Sequence, residues 1–469
     1  MSTPEEVDLV VVGAGPGGES LALAAASAGL RTFVVDKHLV GGECPYYACI
    51  PTKMMLRAAE TLTEAGRANE LAGEVTVRPD WARVAHRLDT EATDGWSDEA
   101  AVDRLVAAGA EVMHGIGRIS GPGQVSVTPA DGGAPRVVRA SRGVVLNPGT
   151  RPAVPDLPGL AEAGYLTNRE AVRLTALPGS LVVLGGGPVA VELAQAFARF
   201  GVAVTIAQRG ERLLPRDEPE ASGVVTEALR DDGVTVMTNA AARSVTGGDE
   251  VTVTFEDGRE ASAAAILVAT GRRPNLEDLG LDVLGLDPAG LEVDDQLRVM
   301  GASALWLIGD AAGRGAFTHV STYQANIVRR QLLDEDRRRA DYRALPHVTF
   351  TEPEVAGVGL TEQAARAAGL AVATGQADLG SRGFTHGPGA NGLVKLVADA
   401  DRGVLVGATA VGPYAGEVLS MLTLAVHAEI PLETMSTMIY AYPTFHRAVA
   451  TALAQLPADL LTRGPRGTA

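Results

Sequence analysis

Two segments of the chain share one pattern, an apolar run that ends in glycines and passes into an alanine-rich stretch. They lie at residues 7–19 (VDLVVVGAGPGGE) and 180–192 (SLVVLGGGPVAVE). An unbroken apolar run predicts a buried strand, and the glycines predict a tight turn into a helix. A second pair of apolar runs, at residues 144–152 and 267–274, each closes on Gly-x-Arg-Pro. These repeats predict two Rossmann-like nucleotide-binding domains of the α/β class.

The C-terminal part of the chain has a different pattern. Residues 330–345 are strongly charged and precede a stretch in which short strands alternate with helices, the latter at about 361–368 and 415–429. This alternation predicts a separate α+β domain. The predicted domains are a first nucleotide-binding domain at 1–150 completed by 271–338, a second one inserted at 151–270, and the α+β domain at 339–469.

With 469 residues, the chain suits about three domains of ordinary size. Hydrophobic residues make up 46% and charged residues 21%, which is typical of a packed α/β enzyme. Lys and Arg total 40 against 57 Asp and Glu, a net charge of −17 that predicts repulsion from nucleic acid and anionic membranes. The first residues are acidic, unlike a secretory signal, and no apolar run approaches the ~20 residues of a membrane span. We therefore expect a cytoplasmic protein with no nucleic-acid or membrane partner.

The first glycine turn carries a dinucleotide-binding pattern. Its glycines allow a tight turn and the close approach of a pyrophosphate to the N-terminus of the following helix. Asp36 ends the next predicted strand, where an acid accepts a hydrogen bond from a ribose hydroxyl. A lone glycine turn has a purely structural alternative, but strand, helix and acid together favour a nucleotide site. The predicted contacts are Gly13, Gly15, Gly18, Asp36, Lys37 and Gly42.

The second glycine turn, with Gly185 and Gly187, has the same context but a different end to its second strand. Gln208 stands where an acid would bind the ribose of NAD, and Arg209 and Arg212 follow it. Arginines at this place favour neutralisation of a 2′-phosphate, which predicts NADPH as the cofactor, with NADH as the alternative. The competing interpretation is that both arginines are solvated surface charges.

The only two cysteines, Cys44 and Cys49, lie in the segment GGECPYYACIPTK. Two cysteines are too few for the disulfide scaffold of a secreted protein, which indicates a chemical role. Residues five apart in a regular helix lie slightly beyond disulfide range, so a disulfide requires a distorted turn, which Pro45 and Pro51 can supply. A helix N-terminus and Lys53 would favour a thiolate. Two inert thiols are an alternative, and a metal site is disfavoured because no further Cys or His ligand lies nearby in the sequence.

Together, these motifs resemble the class I pyridine nucleotide-disulfide oxidoreductases, the family of glutathione reductase, dihydrolipoamide dehydrogenase and mercuric reductase. The resemblance covers essentially the whole chain. It is carried by both glycine turns, the segment from Cys44 to Lys53, and the segments TGRRP (270–274), LIGD (307–310), FTEPEVAGVG (350–359) and YPT (442–444). It implies FAD in the first domain, NADPH in the second, and a homodimer formed through the third, with each active site completed across the interface.

The resemblance also implies roles for individual residues. Cys49 would lie against the flavin as the charge-transfer thiolate, and Cys44 would be the interchange thiol that attacks substrate. Lys53 would lie at the flavin N5 edge, paired with Glu192. Asp310 would hydrogen-bond the ribityl chain. The further cofactor contacts would be Gly117, Gly271 and Val320.

The C-terminal motif departs from the family pattern. Reductases of this family end in His-Pro-Thr followed three residues later by a glutamate, an acid/base pair that crosses to the partner subunit. Here Tyr442 stands at the histidine position and Arg447 at the glutamate position. A tyrosine can donate a proton but is a poor base at neutral pH, so Tyr442 is predicted either to donate a proton or hydrogen bond or only to pack. His446 is an alternative candidate for the lost histidine.

We therefore predict an enzyme that transfers hydride from NADPH through FAD to the Cys44/Cys49 disulfide. Electrons would pass on to a small-molecule disulfide or related sulfur substrate, with atypical proton delivery. The missing histidine also resembles 2-ketopropyl-coenzyme M oxidoreductase/carboxylase, so a carboxylase-like use of the dithiol is one alternative. An NAD(P)H:quinone or diaphorase-type reductase is another, and a non-catalytic FAD-binding scaffold is a third. The chain shows no second cysteine pair, which argues against mercury reduction. Tyr46 and Tyr47 are candidate substrate contacts at the interface, with aromatic packing as the alternative.

Overall fold

The structure is a computed structural model that describes residues 4–379 and 391–462. In chain order, its strands are β1 (Glu5–Val12), β2 (Thr32–Asp36), β3 (Glu111–Gly121), β4 (Gln124–Pro129), β5 (Arg136–Leu146), β6 (Thr150–Pro152), β7 (Ser180–Leu184), β8 (Ala203–Ala207), β9 (Thr235–Met237), β10 (Ala242–Thr246), β11 (Val251–Phe255), β12 (Glu260–Ala263), β13 (Ala265–Val268), β14 (Arg272–Pro274), β15 (Leu305–Leu307), β16 (Pro346–Thr349), β17 (Glu354–Gly359), β18 (Val372–Asp378), β19 (Leu393–Asp399) and β20 (Val404–Gly412). Its α-helices are α1 (Pro16–Ser27), α2 (Glu43–Tyr47), α3 (Cys49–Leu71), α4 (Trp81–Arg87), α5 (Glu99–Ala107), α6 (Leu160–Ala163), α7 (Asn168–Ala171), α8 (Pro188–Arg199), α9 (Pro219–Asp231), α10 (Thr318–Leu332), α11 (Glu362–Ala367), α12 (Ala415–His427), α13 (Leu432–Ser436) and α14 (Arg447–Leu453).

The chain divides into two compact units. The first takes the described residues up to Pro51 together with His86–Ala153 and Arg272–Asp341. The second takes Thr52–Ala85, Val154–Gly271 and the described residues from Tyr342 onward.

The first unit is built on a parallel sheet. Strands β3, β2, β1, β5 and β15 lie side by side and run parallel, while β4 pairs antiparallel with both β3 and β5. The apolar run of β1 is buried on both faces, with Leu9 and Val11 on the side of α1 and α10, and Val10 and Val12 on the other. Burial on both faces explains why this segment is continuously apolar rather than alternating. Strands β6 and β14 form a separate antiparallel pair.

The second unit holds both parallel and antiparallel sheets. Strands β13, β7, β8 and β9 form a parallel sheet, and β10, β11 and β12 form an antiparallel one. Strands β16, β17, β20, β19 and β18 form a larger antiparallel sheet, on which α12 and α14 pack. Trp81 of α4 makes edge contacts with Phe197 of α8 and with Phe200, at ring-centroid distances of 5.7 and 5.2 Å.

These elements confirm the predicted fold class, with two Rossmann-like α/β regions and an α+β region. The two repeated segments are β1–α1 and β7–α8, and each is followed by a parallel strand, β2 and β8. The helices predicted at 361–368 and 415–429 are α11 and α12. The predicted domain boundaries remain predictions. Within the described ranges, no helix is long and apolar enough to cross a membrane.

Candidate active site

The first glycine turn joins β1 to α1, and close backbone contacts require its glycines. Gly13 has a φ of +93°, and a Cβ atom there would lie 2.2 Å from the backbone oxygen of Asn147. A Cβ on Gly18 would lie 2.1 Å from the backbone oxygen of Gly13, and a Cβ on Gly42 would lie 2.7 Å from Cα of Gly15. These segments form a cradle of bare backbone at the N-terminus of the 12-residue helix α1. Such a cradle fits the pyrophosphate of a dinucleotide such as FAD.

Asp36, the last residue of β2, is tied to the same turn. Its carboxylate accepts hydrogen bonds from the backbone N–H groups of Ala14 (2.6 Å) and His38 (2.7 Å). Burial raises the pKa of Asp36, and the two N–H groups oppose that shift. A carboxylate has about four lone-pair sites, so a further bond from a ribose hydroxyl is compatible with these contacts. Lys37, the neighbouring predicted contact, is exposed.

Asp310 and three other side chains of the first unit, Thr150, Arg272 and Glu43, form a polar network. Oγ1 of Thr150 donates to Asp310 at 3.0 Å, and Nε of Arg272 donates to the same Thr150 oxygen at 2.6 Å. Nη2 of Arg272 also lies 3.3 Å from Oε2 of Glu43, the residue before Cys44. Burial raises the pKa of Asp310, and Thr150 and Arg272 oppose the shift. Sequence reasoning assigned no role to Thr150, Arg272 or Glu43, although the repeated Gly-x-Arg-Pro segments contain two of them.

The cysteines lie on two consecutive helices. Cys44 is in α2 and Cys49 is the first residue of α3, and between them Ala48 has a φ of −134° and a ψ of −103°. The helical distortion expected for this segment is therefore present, but it occurs at Ala48 rather than at either proline. Both cysteines are half-buried thiols. Sγ of Cys49 lies 3.5 Å from Oγ1 of Thr318, the first residue of the 15-residue helix α10. A hydroxyl at hydrogen-bond distance and a helix N-terminus both favour a thiolate at Cys49.

In the second unit, Lys53 of α3 and Glu192 of α8 form the ion pair implied by the resemblance. Nζ of Lys53 lies 2.7 Å from Oε2 of Glu192, whose side chain is 5% exposed against 34% for Lys53. The other oxygen, Oε1, accepts the backbone N–H of Phe350 at 2.9 Å. The Phe350 ring centroid lies 4.8 Å from Nζ of Lys53. Sequence reasoning gave Phe350 no role, and its only signal was the family motif at 350–359.

The second glycine turn joins β7 to α8. Gly185 has a φ of +119°, and a Cβ there would lie 2.3 Å from the backbone oxygen of Ala269. A Cβ on Gly187 would meet nothing within 4 Å. The buried side chain of Gln208 lies against the turn, because a Cβ on Gly186 would lie 3.0 Å from its Cδ and Cγ atoms. The backbone of this turn fits a nucleotide in the same way, but the side chain beside it is a neutral amide rather than a carboxylate.

The two arginines after Gln208 differ in their surroundings. The Arg212 guanidinium donates to the backbone oxygens of Leu214 (3.0 Å), Pro215 (2.8 Å) and Asp217 (2.9 Å). Arg209 is exposed, and its side chain makes no hydrogen bond or ion pair to the described residues. Arg212 therefore organises its own loop, and Arg209 is the better candidate for a phosphate contact.

The C-terminal candidates lie on the surface of the second unit. Tyr442 is 71% exposed and precedes Pro443 through a cis peptide bond. His446 is half-buried at the start of α14, and its ring centroid lies 6.3 Å from that of Tyr440. Both side chains belong to the second unit, whereas the cysteines belong to the first.

Three further predictions concern single residues of the first unit. Tyr46, a candidate substrate contact, is instead buried, and its hydroxyl donates to the backbone oxygen of Val40 at 3.0 Å. Burial raises the pKa of Tyr46 to about 12. Val320 is also buried. At Gly117 on β3, an added Cβ would lie only 2.6 Å from a methyl carbon of Val35, so a larger residue would clash there. The burial of Tyr46 favours packing, the alternative given for this residue, over a substrate contact.

These features define a class of proteins that bind two dinucleotides and exchange electrons through thiols. The features are two glycine turns at strand–helix junctions, an acid after the first turn, and a pair of cysteines. Residues 7–325 match the family model described as pyridine nucleotide-disulphide oxidoreductase, and residues 345–453 match the dimerisation domain of the same family. The chain therefore belongs to the pyridine nucleotide-disulphide oxidoreductase family, as its motifs predicted. It is an oxidoreductase and a flavoprotein that uses FAD with a pyridine nucleotide.

Individual relatives agree with this assignment. The chain is 33% identical over 464 residues to a mercuric reductase of Streptomyces lividans, with 97% of each chain covered. It is 33% identical over 460 residues to a dihydrolipoyl dehydrogenase of Halobacterium salinarum, with 95% of each covered. Among solved structures, LpdA of Mycobacterium tuberculosis matches with a TM-score of 0.84 at 28% identity, covering 96% of this chain and 99% of that one. The Cu(II) complex of the HOCl-induced flavoprotein disulfide reductase RclA of Escherichia coli matches with a TM-score of 0.84 at 25% identity and the same coverage.

Proposed function

We propose that the protein is an NADPH-dependent reductase that delivers electrons through Cys44 and Cys49 to a disulfide or related sulfur substrate. The observation that carries this proposal is the placement of Cys49 at the first turn of α3, 3.5 Å from the Thr318 hydroxyl at the N-terminus of α10. Two inert thiols would need neither a hydroxyl at hydrogen-bond distance nor a helix N-terminus. This environment is the one in which a cysteine becomes a stable thiolate.

FAD, when bound, would accept a hydride from the nicotinamide and pass two electrons to the disulfide. The residues proposed to hold it are the bare backbone around Gly13 and Gly15, the carboxylate of Asp36, and Asp310 with its Thr150 partner. Lys53, paired with Glu192, would supply a positive charge at the flavin N5 edge. These roles carry over from the family by position, and the contacts reported above are compatible with them.

The reduced pair can reduce a disulfide with balanced chemistry. The Cys44 thiolate attacks one substrate sulfur, forming a mixed disulfide and releasing the first substrate thiolate. Cys49 then attacks Sγ of Cys44, which releases the second thiolate and forms the Cys44–Cys49 disulfide. The two protons of the dithiol end on the two product thiols. We propose that Tyr442 takes part in this proton delivery in a homodimer, because it is highly exposed on the domain that matches the family's dimerisation model.

The preference for NADPH is proposed from the second glycine turn. Gln208 is neutral, so it does not repel a 2′-phosphate as a carboxylate would. Arg209 is exposed immediately after it, and its guanidinium is uncommitted among the described residues. The guanidinium fork matches phosphate geometry.

The proposal is tested by an anaerobic titration of the purified protein with NADPH, following the flavin spectrum. We expect uptake of about four electrons per subunit, two for the flavin and two for the disulfide, with a long-wavelength thiolate-to-flavin band. Cys49→Ser should lose that band, whereas the matched variant Cys44→Ser should retain it. Uptake of about two electrons without a band would overturn the disulfide mechanism and favour the quinone reductase alternative. Turnover with disulfides, quinones, Hg(II) and Cu(II) would then identify the acceptor class.

A further inference from the structure

The motif at residues 350–359 has no part in the function proposed so far, yet its first residue contacts both members of the Lys53–Glu192 pair. The backbone N–H of Phe350 occupies Oε1 of Glu192 at 2.9 Å, while Lys53 occupies Oε2 at 2.7 Å. The carboxylate is therefore held at both oxygens and cannot rotate without breaking a hydrogen bond. The Lys53 ammonium contacts both this carboxylate and the Phe350 ring, whose centroid is 4.8 Å away, within the range of a cation–π contact.

The loop that carries Phe350, residues 350–353 between β16 and β17, is fixed to α8 by an amide side chain. Oε1 of Gln195 accepts the backbone N–H of Glu352 at 2.7 Å, and Nε2 of Gln195 donates to the backbone oxygen of Glu352 at 2.8 Å. This two-point pairing imitates a pair of strand hydrogen bonds. Gln195 is 1% exposed and lies one helical turn after Glu192, so the same face of α8 holds the carboxylate and the loop.

Charged groups reinforce this attachment. The Glu352 carboxylate is paired with Arg67 of α3 and Arg199 of α8, and Arg199 also lies 3.0 Å from Asp232. The side chains of Arg67, Arg199 and Glu352 are only 15%, 8% and 17% exposed. The two arginines thus contact three carboxylates, the third being the exposed Glu64, which lies 3.2 Å from Arg67. An unpaired charge in this largely buried site would be strongly destabilising. The same two helices that provide Lys53 and Glu192 therefore also fix the loop that carries Phe350.

We propose that Phe350 is a positioning residue for the Lys53–Glu192 pair, and that Gln195 and Glu352 hold it in place. In this arrangement the backbone of Phe350 orients the carboxylate and its ring limits the movement of the ammonium group. The inference rests on the proposed placement of Lys53 at the flavin. It predicts that Phe350 affects reduction of the flavin by NADPH and not the later thiol chemistry.

The test measures the rate of flavin reduction by NADPH in the FAD-loaded enzyme by anaerobic stopped flow. Phe350→Leu keeps the N–H and the apolar bulk but removes the ring, and we expect it to reduce this rate about three- to tenfold. Phe350→Tyr and Phe350→Trp keep a ring and should restore most of the rate. Phe200→Leu is the matched control, because it removes a half-buried ring of the same unit that contacts Trp81 rather than Lys53. Its rate should be unchanged.

Two further measurements separate positioning from packing. In a Lys53→Met background, Phe350→Leu should have no additional effect, because the group that it positions is absent. Gln195→Met should slow flavin reduction by a similar factor without changing the intensity of the thiolate-to-flavin band. An unchanged rate in Phe350→Leu, an equal loss in Phe200→Leu, or failure of the aromatic variants to restore the rate would overturn the inference. The rate of flavin reduction reports on Phe350, whereas the thiolate-to-flavin band and the electron count report on the disulfide, so failure of the inference is distinguishable from failure of the proposed disulfide chemistry.

Discussion

The two glycine turns share two glycine positions, Gly13/Gly185 and Gly15/Gly187, and differ at others. In the first turn, Gly17 lies at the start of α1, where a Cβ would come within 2.2 Å of Oγ and 2.7 Å of the backbone oxygen of Ser321 on α10. The corresponding Val189 in the second turn is 39% exposed. Conversely, the second turn has Gly186, against which Gln208 packs, where the first has Ala14. The shared glycines form the turn. Gly17 and Gly186, which are not shared, lie where a neighbouring residue, Ser321 or Gln208, packs too closely for a side chain.

The residues that end the second strand of each motif differ in a related way. Asp36 presents a carboxylate already bound by the N–H groups of Ala14 and His38. Gln208 presents a neutral, buried amide that donates to the backbone oxygen of Arg212 at 3.3 Å. The charge of Asp36 therefore depends on pH, whereas Gln208 has no titratable group. The glycine pattern alone identifies a nucleotide site, whereas these neighbours determine what the site prefers.

The largest expected effect comes from exchanging the unshared residues. Gly17→Val places a branched side chain against the backbone of α10, so α1 and α10 must separate. We expect the free energy of unfolding to fall by about 3 kcal/mol and FAD to be lost. The matched exchange Val189→Gly alters an exposed position and should cost about 1 kcal/mol or less. Denaturant unfolding and flavin content measure both, and equal losses would show that the two turns do not differ in the way described.

A smaller effect is expected on cofactor choice. Arg209→Leu should reduce kcat/KM for NADPH relative to NADH by about tenfold to a hundredfold, because a charged hydrogen bond to the 2′-phosphate is lost. Arg216, another exposed arginine of the following loop, provides the control, and Arg216→Leu should leave the ratio unchanged. Steady-state kinetics with NADPH and with NADH measures this ratio. If Arg209→Leu lowers kcat/KM equally for both nucleotides, Arg209 does not bind the 2′-phosphate.

The smallest effect concerns pH. The pKa of Asp36 is raised in the folded protein, so between its ordinary value of about 4 and the raised value the folded state binds more protons than the unfolded state. Its contribution to stability is present at low pH and is lost as pH rises through the folded pKa. The free energy of unfolding of apo Asp36→Asn, relative to the native chain, should therefore increase from pH 4 toward neutrality.

An exposed aspartate supplies the control for that measurement. The backbone N–H of Arg259 lowers the pKa of Asp257, so its contribution has the opposite sign and is lost as pH falls. Urea unfolding of apo Asp257→Asn should accordingly show the opposite trend against the native chain. A flat difference for Asp36→Asn would contradict the view that burial dominates at the first turn.

Much of the fold could be predicted from the sequence. Apolar runs such as residues 7–12 and 180–184, with glycines directly after them, specify strand, turn and helix through local backbone preferences and spacing. The motif order around Cys44 and Asp310 indicated the family and so implied that Lys53 pairs with Glu192. These signals are either local or repeated, and both kinds can be read along one chain.

The tertiary structure decided which side chains share one neighbourhood. Lys53 and Glu192 are 139 residues apart in sequence, Glu192 and Phe350 are 158 apart, and Arg272 and Thr150 are 122 apart. It also placed Tyr46 in the interior and turned Arg212 toward its own loop, leaving Arg209 exposed. Hydrogen bonds and ion pairs depend on distances of a few ångströms between atoms, and a linear pattern does not contain those distances until the chain has folded.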